Sequence, residues 1–187
     1  MVFSKMIYLP DEDSYLMQEV LKKFLPKILK QKSESKILEI GAGSGILAQT
    51  LIELNTNPKR IILTDIDEKT IKNLKKNFAN IKIIHSDLFE KIPPQEFDLI
   101  ILNPPYLPED EREDEESRRA TTGGKNGSEI INKFLEQSKK YLNSEGKIFL
   151  LISSLTKKIN WRDYKKKKIA EKKIFFEKLY VWELFLQ

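Results

Sequence analysis

Residues Leu99 to Asp110 read LIILNPPYLPED, an apolar run that ends in an asparagine and a cluster of prolines. An asparagine at a strand end gains little by packing. Pro104, Pro105 and Pro108 have no N–H with which to extend a strand ladder. The product is a stiff polar tip with a specific chemical capability. The side-chain carbonyl of Asn103 and the main-chain carbonyl of Pro104 can both accept a hydrogen bond from one amino group. The prolines, Pro105 included, fix the direction in which both acceptors point. Tyr106 adds a flat face against which a planar amide or base can lie. The plainer reading of the same residues is a rigid turn with an asparagine cap.

Other residues point to what would meet that tip. LEIGAGSGIL carries Gly41, Gly43 and Gly45 between a strand and a helix, where the backbone must turn tightly and approach a ligand closely. An ordinary strand-to-helix turn would also use them. A dinucleotide fingerprint would need glycine or alanine where Ile46 stands. Glu39, two residues before Gly41, places a carboxylate on an apolar strand, which is costly unless it neutralises a cation. Asp65 ends the next strand at the distance expected of an acceptor for ribose hydroxyls; it could instead cap the following helix, as could Asp67. Asp87 ends a third strand, where it can accept from an adenine amino group or simply serve a turn. An adenosine ligand carrying positive charge satisfies the set, and S-adenosyl-L-methionine is one. A nicotinamide cofactor fits less well, because its pyrophosphate needs helix amides without a carboxylate nearby.

The elements that must position these residues alternate. Residues 14–31 have an apolar stripe at helical spacing, with Asp13 or Ser14 as cap and Pro26 as a kink. KILEI, RIILTD, IKIIHSD, FDLIILN and GKIFLLIS read as strands. Helices are expected over 46–54, 68–78 and 128–142; after Lys157 the chain is basic and then alternates toward KIFFEKLYVWELFLQ, which reads as two further strands at the end. The charged run from Glu109 to Arg119 reads as a loop. Strand–helix alternation predicts an α/β, doubly wound, Rossmann-like sheet with helices on both faces, mostly parallel and closed by an antiparallel C-terminal strand. One domain over 1–187 is expected, with an N-terminal segment and helix over 1–31 and a core over 36–187. Ligands of such sheets bind beyond the carboxyl ends of the strands, so Gly41, Asp65, Asp87 and Asn103 should share one rim.

Composition removes several alternatives. There is no cysteine and a single histidine, His85, so neither a thiolate or histidine metal site nor a serine–histidine triad can be assembled. The acidic N-terminus does not resemble an export signal, no apolar run is long enough to span a bilayer, and a cytoplasmic location is expected. The net charge of +5, with lysines at 165–168 and 172, permits nucleic-acid contact, although it equally suits a solvated surface. His85, Trp161 and Trp182 read as packing or surface residues.

Taken together, these residues resemble the class I methyltransferases, and the tetrad NPPY at 103–106 narrows the likeness to two groups. These are the adenine-N6 DNA methyltransferases and the HemK-type release-factor glutamine methyltransferases. YLPDEDSYLM (Tyr8 to Met17) and GGKNGSEIINKFL (Gly123 to Leu135) are similar to the short archaeal and eukaryotic HemK branch. That resemblance implies S-adenosyl-L-methionine as cofactor. Glu39, Gly41 and Gly43 would lie at its methionine end with Ser14 nearby, Asp65 at the ribose, and Asp87 and Leu88 on either side of the adenine. Asn103 would be shared between cofactor and substrate. The substrate slot would be formed by Asn103, Pro104, Pro105 and Tyr106, with Asn103, Pro104 and Tyr106 catalytic and no metal. The implied reaction is N5-methylation of the glutamine in a Gly-Gly-Gln segment of a release factor. The alternative is methylation of an amino group in DNA or RNA, but little chain is left over for a base-reading domain. A small zinc-binding activator protein is the implied partner, docking on the third strand at a sheet edge.

Overall fold

The computed structural model describes residues 10–175 and 177–187, with backbone alone at Glu116 and Arg119. Tyr8 and Leu9 of the N-terminal motif lie outside the described residues. Helix α1 spans Glu12–Gln31 and begins at Asp11, whose carboxylate accepts from the Glu12 amide. The cap is therefore Asp11 rather than Asp13 or Ser14. Both of those lie within the first turn and are buried. Glu12 and Asp13 in the first turn and Lys30 in the last complement the helix dipole. The helix continues through Pro26.

Strands and helices then alternate as β1 (Ile37–Ile40), α2 (Ile46–Glu53), β2 (Ile61–Asp65), α3 (Glu68–Asn77), β3 (Lys82–His85) and β4 (Phe97–Leu102). They are followed by α4 (Glu115–Thr121), α5 (Glu129–Ser138), β5 (Leu142–Ser153), β6 (Tyr164–Ile174) and β7 (Glu177–Leu186). Among the described residues the strands form one seven-stranded sheet in the order β3-β2-β1-β4-β5-β7-β6. All neighbours from β3 to β5 are parallel, and β7 runs antiparallel to both β5 and β6. The expected doubly wound sheet with an antiparallel C-terminal strand is the observed one. Side-chain alternation sends Ile37, Leu63, Leu99, Ile101 and Phe149 to one face, under α1, α2 and α3. Leu38, Ile40, Ile100, Leu102 and Leu150 go to the other, under α5 through Ile131, Phe134 and Leu135. β1, β4 and β5 are covered on both sides, which is why their sequences are nearly all apolar.

Two stretches differ from expectation. Residues 115–121 are helical although they carry no apolar stripe. The helix is held from outside itself: the Glu113 carboxylate accepts from the hydroxyls of Ser117, Thr121 and Thr122, and Asp114 accepts from the Ser117 amide. Second, α5 stops at Ser138, and Leu142 opens β5 opposite Phe97 instead of ending the helix. Leu142 is apolar and buried either way, so its periodicity did not distinguish the two.

The sheet's edges are unlike each other. β6 exposes Lys165 to Lys168 and carries an irregularity between Lys168 and Ala170. β3 is four residues long, and Ile83, Ile84 and His85 are only half-buried. Among the described residues no helix is long and apolar enough to cross a membrane.

Candidate active site

Register brings the rim together. Ile40 lies level with Thr64 on one side and Leu102 on the other, so Gly41, Asp65 and Asn103 emerge from the sheet in one row. Asp65 is level with His85, and Asp87 follows two residues later. A cleft of about 810 Å³ opens above this row. That volume is in the range of pockets for nucleoside-sized ligands. Its walls include Gly41, Gly43, Asp65, Asp87, Leu88, Asn103, Pro104 and Pro105. Ser14, Glu39 and Tyr106 are not on the walls. Ser14 is buried in the first turns of α1, Glu39 is buried in β1, and the Tyr106 ring packs against both apolar cores.

Each acidic side chain is held differently. One oxygen of Asp65 accepts from the Gly43 amide and the other from the Asp67 amide, both at 2.9 Å. Burial pushes the Asp65 carboxyl above the ordinary range, and those two amides pull it part of the way back. Asp67, not Asp65, caps α3, accepting from Thr70 at 2.7 Å. Asp65 is thus not spent on a cap: it holds the glycine loop from the wall of the cleft. Asp87 pairs with Lys133 of α5 at 2.7 Å across the mouth of the cleft.

Glu39 is 2% exposed, and among the described residues its Oε2 has no hydrogen-bond partner. Burial, and after it the charge of Asp65, raise its pKa from 4.5 to about 8. A cation placed beside such a carboxyl favours its ionised form and draws the pKa back down. Gly41 has φ +69°, and a side chain built there would meet nothing within 4 Å. The backbone is therefore open to close approach at the point where the row begins. The residues present fit an adenosyl ligand with a charged amino-acid end.

The asparagine tip is braced from three sides. Thr156 donates to the Tyr106 carbonyl at 2.8 Å, Leu107 donates to Thr121, and Gly123 donates to Leu107. Gly127, with φ +76°, lies so close that a β-carbon there would stand 2.3 Å from the Tyr106 carbonyl oxygen. The GGKNG turn is thus packed directly on NPPY. Pro104 is buried, and Asn103 Oδ1 is buried without a partner among the described residues. Asn103 Nδ2 donates to Asp13 at 3.1 Å.

Residues 17–163 match the methyltransferase small domain family. The chain belongs to that family. It is 36% identical over 193 residues to a Methanocaldococcus jannaschii protein called a candidate protein N5-glutamine methyltransferase, with 95% of this chain and 92% of that one covered. It is 34% identical to a release factor glutamine methyltransferase of Borreliella burgdorferi, over 65% of this chain and 46% of that longer relative. Among solved structures, a chain of the E. cuniculi Mtq2–Trm112 complex, responsible for methylation of the eRF1 translation termination factor, superposes with TM-score 0.71. It is 21% identical and covers 97% of this chain and 99% of that one, a likeness that speaks for the fold. As a family member the chain is an enzyme, and its methyl donor is S-adenosyl-L-methionine.

Sequence reasoning did not find every residue of the cleft. Lys69, Glu115, Ala120, Ile130 and Lys133 also line it. Asp13 was read only as a helix cap, although Asp13, Leu16, Met17 and Val20 follow helical spacing. That puts a carboxylate on the buried stripe of α1, where a cap is not needed.

Proposed function

We propose that this protein methylates the side-chain amide nitrogen of the glutamine in a Gly-Gly-Gln segment of a peptide chain release factor. The reading is carried by the buried Oδ1 of Asn103, which has no partner among the described residues, on a braced, proline-stiffened tip. An acceptor in that state recognises an N–H, and an amide nitrogen brings one. The names of the relatives in M. jannaschii and B. burgdorferi support the same substrate class.

When bound, S-adenosyl-L-methionine supplies an electrophilic methyl carbon on a sulfonium. Gly41 and Gly43 would admit its amino-acid end, with the Glu39 carboxylate offsetting the positive charge and Ser14 nearby. Asp65 would accept from the ribose hydroxyls, while Asp87 and Leu88 flank the adenine. Asn103 Oδ1 and the Pro104 carbonyl would accept the two hydrogens of the glutamine NH₂ and aim its nitrogen at the methyl carbon. These acceptors also favour the positive charge that develops on nitrogen as the new C–N bond forms, the C–S bond breaks and the electron pair returns to sulfur. The surplus proton then leaves nitrogen for solvent. Pro105 would keep the tip rigid. Tyr106 supports it through its packed ring, and the Gly-Gly flanks let the substrate loop enter without steric cost.

The β3 edge, which no strand covers among the described residues, supports a second element of the reading: a small zinc-binding activator protein that adds to this edge, as an unpaired apolar edge favours. Both proteins would act in the cytoplasm as a heterodimer. Size-exclusion chromatography should give a monodisperse complex with such an activator. A fully active, monodisperse lone chain counts against it.

The substrate is tested by mass spectrometry of a cognate release factor after incubation with enzyme and cofactor. A 14 Da gain on the Gly-Gly-Gln peptide, abolished when the glutamine is replaced, is expected. Labelling of adenine in DNA or RNA with the factor left unlabelled would establish the alternative, to which the exposed lysines of β6 lend support.

A further inference from the structure

Asp13 is 7% exposed, in the first turn of a helix that Asp11 already caps. Its two oxygens are engaged separately. Oδ1 accepts from the Ser14 amide, and Oδ2 accepts from Asn103 Nδ2 at 3.1 Å, linking residues ninety positions apart in the chain. On the other side of the same amide, Asn103 Oδ1 is buried with no partner among the described residues.

An asparagine amide is nearly symmetric in shape and opposite in chemistry at its two ends. Turned one way it offers an acceptor, and turned the other way it offers two donors. A donor end facing the cleft would repel the N–H groups of an incoming amide. A carboxylate accepts and, when ionised, cannot donate. Set against one end of Asn103, it therefore selects the NH₂ end and leaves the carbonyl for the substrate. It also draws electron density toward the amide oxygen, because hydrogen bonds in series polarise one another. The arrangement is anchored: Asp13 stands on α1, a twenty-residue helix packed on the sheet, and Asn103 stands on the stiffened end of β4.

We infer that Asp13 is a positioning residue for methyl transfer, acting through Asn103 by locking its amide with the carbonyl toward the substrate nitrogen. The inference rests on the role given to Asn103 above. It assigns to the start of α1 a part in catalysis distinct from cofactor binding.

A double-mutant cycle in the full chain, with its activator where one is required, separates the two. Asp13→Asn, Asn103→Ala and the double variant are compared for kcat, KM, cofactor Kd and Tm. Asp13→Asn keeps size and can present an NH₂ to the amide, so the orientation is no longer chosen. It should lower kcat about 10- to 100-fold and leave cofactor Kd within about twofold. Added to Asn103→Ala, it should cost little more, because the group it orients is gone. If Asn103→Ala itself retains normal activity, the reading of the tip fails and this inference fails with it. If Asn103→Ala is impaired but Asp13→Asn lowers kcat by the same factor in both backgrounds, only the role of Asp13 is refuted. A fall in cofactor affinity parallel to the fall in kcat refutes it too. The wild-type protein offers a check independent of any variant's folding. In its ¹⁵N spectrum one Asn103 side-chain proton should be shifted downfield and slow to exchange with solvent. Both protons at ordinary shifts and in rapid exchange with solvent would overturn the assignment.

Discussion

Replacing Glu39 with glutamine should stabilise the empty protein and weaken its hold on the cofactor, with both effects set by pH. The carboxyl is fully buried and titrates at about 8 instead of 4.5, chiefly through burial and then through the charge of Asp65. The folded protein therefore keeps a proton that the unfolded chain has already released. Stability is unaffected below about pH 4.5, falls as pH rises, and levels off above about 8. At about 1.4 kcal/mol for each pH unit in that window, the penalty reaches roughly 3 kcal/mol at pH 7. Glutamine is close in shape to the protonated acid and cannot ionise. The stability gap between Glu39→Gln and wild type should widen by roughly 3–4 kcal/mol from pH 5 to pH 8, or about 10 °C in Tm for a chain of this size. Scanning calorimetry without cofactor measures it directly. Binding supplies the second readout. A cation beside Glu39 should drive its proton off, so wild type should release close to one proton per cofactor at about pH 6.5, where the amino group of the ligand is already charged. Titration calorimetry in buffers of different ionisation enthalpy counts that proton. Glu39→Gln should release about one fewer proton and bind at least about tenfold more weakly. Parallel Tm curves for the two proteins, or equal proton counts, would show that the buried carboxyl is not waiting for a cation.

Three further outcomes are expected. Asp65→Ala should weaken cofactor binding by about 1–3 kcal/mol, read by calorimetry; because the carboxylate also holds the Gly43 and Asp67 amides, exchange protection at those amides should fall as well. Asn103→Ala should reduce turnover by roughly two to three orders of magnitude with a much smaller change in cofactor affinity; near-normal methyl transfer would remove the tip from the chemistry. Gly127→Ala forces a β-carbon against the Tyr106 carbonyl at a left-handed backbone position, and should cost about 2–5 kcal/mol in thermal unfolding; an unchanged Tm would mean that the turn and the tip are not packed as described.

The strand ends of this protein were readable in its sequence because each is marked twice, by an apolar run and by the glycine or polar residue that terminates it. Ile40–Gly41, Thr64–Asp65 and Leu102–Asn103 are such pairs, and parallel register does the rest. The cap of α3 is Asp67 by its hydrogen bond to Thr70, which the sequence does not reveal, since Asp65 and Asp67 are equally good caps on paper. α4 was hidden for a stronger reason. Its hydrogen-bond support comes from Glu113 and Asp114, outside the helix, and no periodicity records that. Asp13 was obscured by its neighbours: among Asp11, Glu12 and Asp13, any acid could be the cap, and burial singles out the one that is not.

The unequal edges of the sheet limit what a lone chain can assemble into. An open-ended fibre needs two adhesive borders on every subunit, so that each addition leaves a fresh one exposed. Here the β6 border is studded with lysines that would face one another across any new pairing, and its irregularity bends the backbone away from a straight template. Among the described residues only the β3 border remains receptive, and that strand is four residues long. Growth from a single receptive border stops after one step, as a two-fold pair of chains or as a one-to-one complex with another protein. Overproduced without a partner, such a chain should give closed pairs rather than filaments on size-exclusion chromatography.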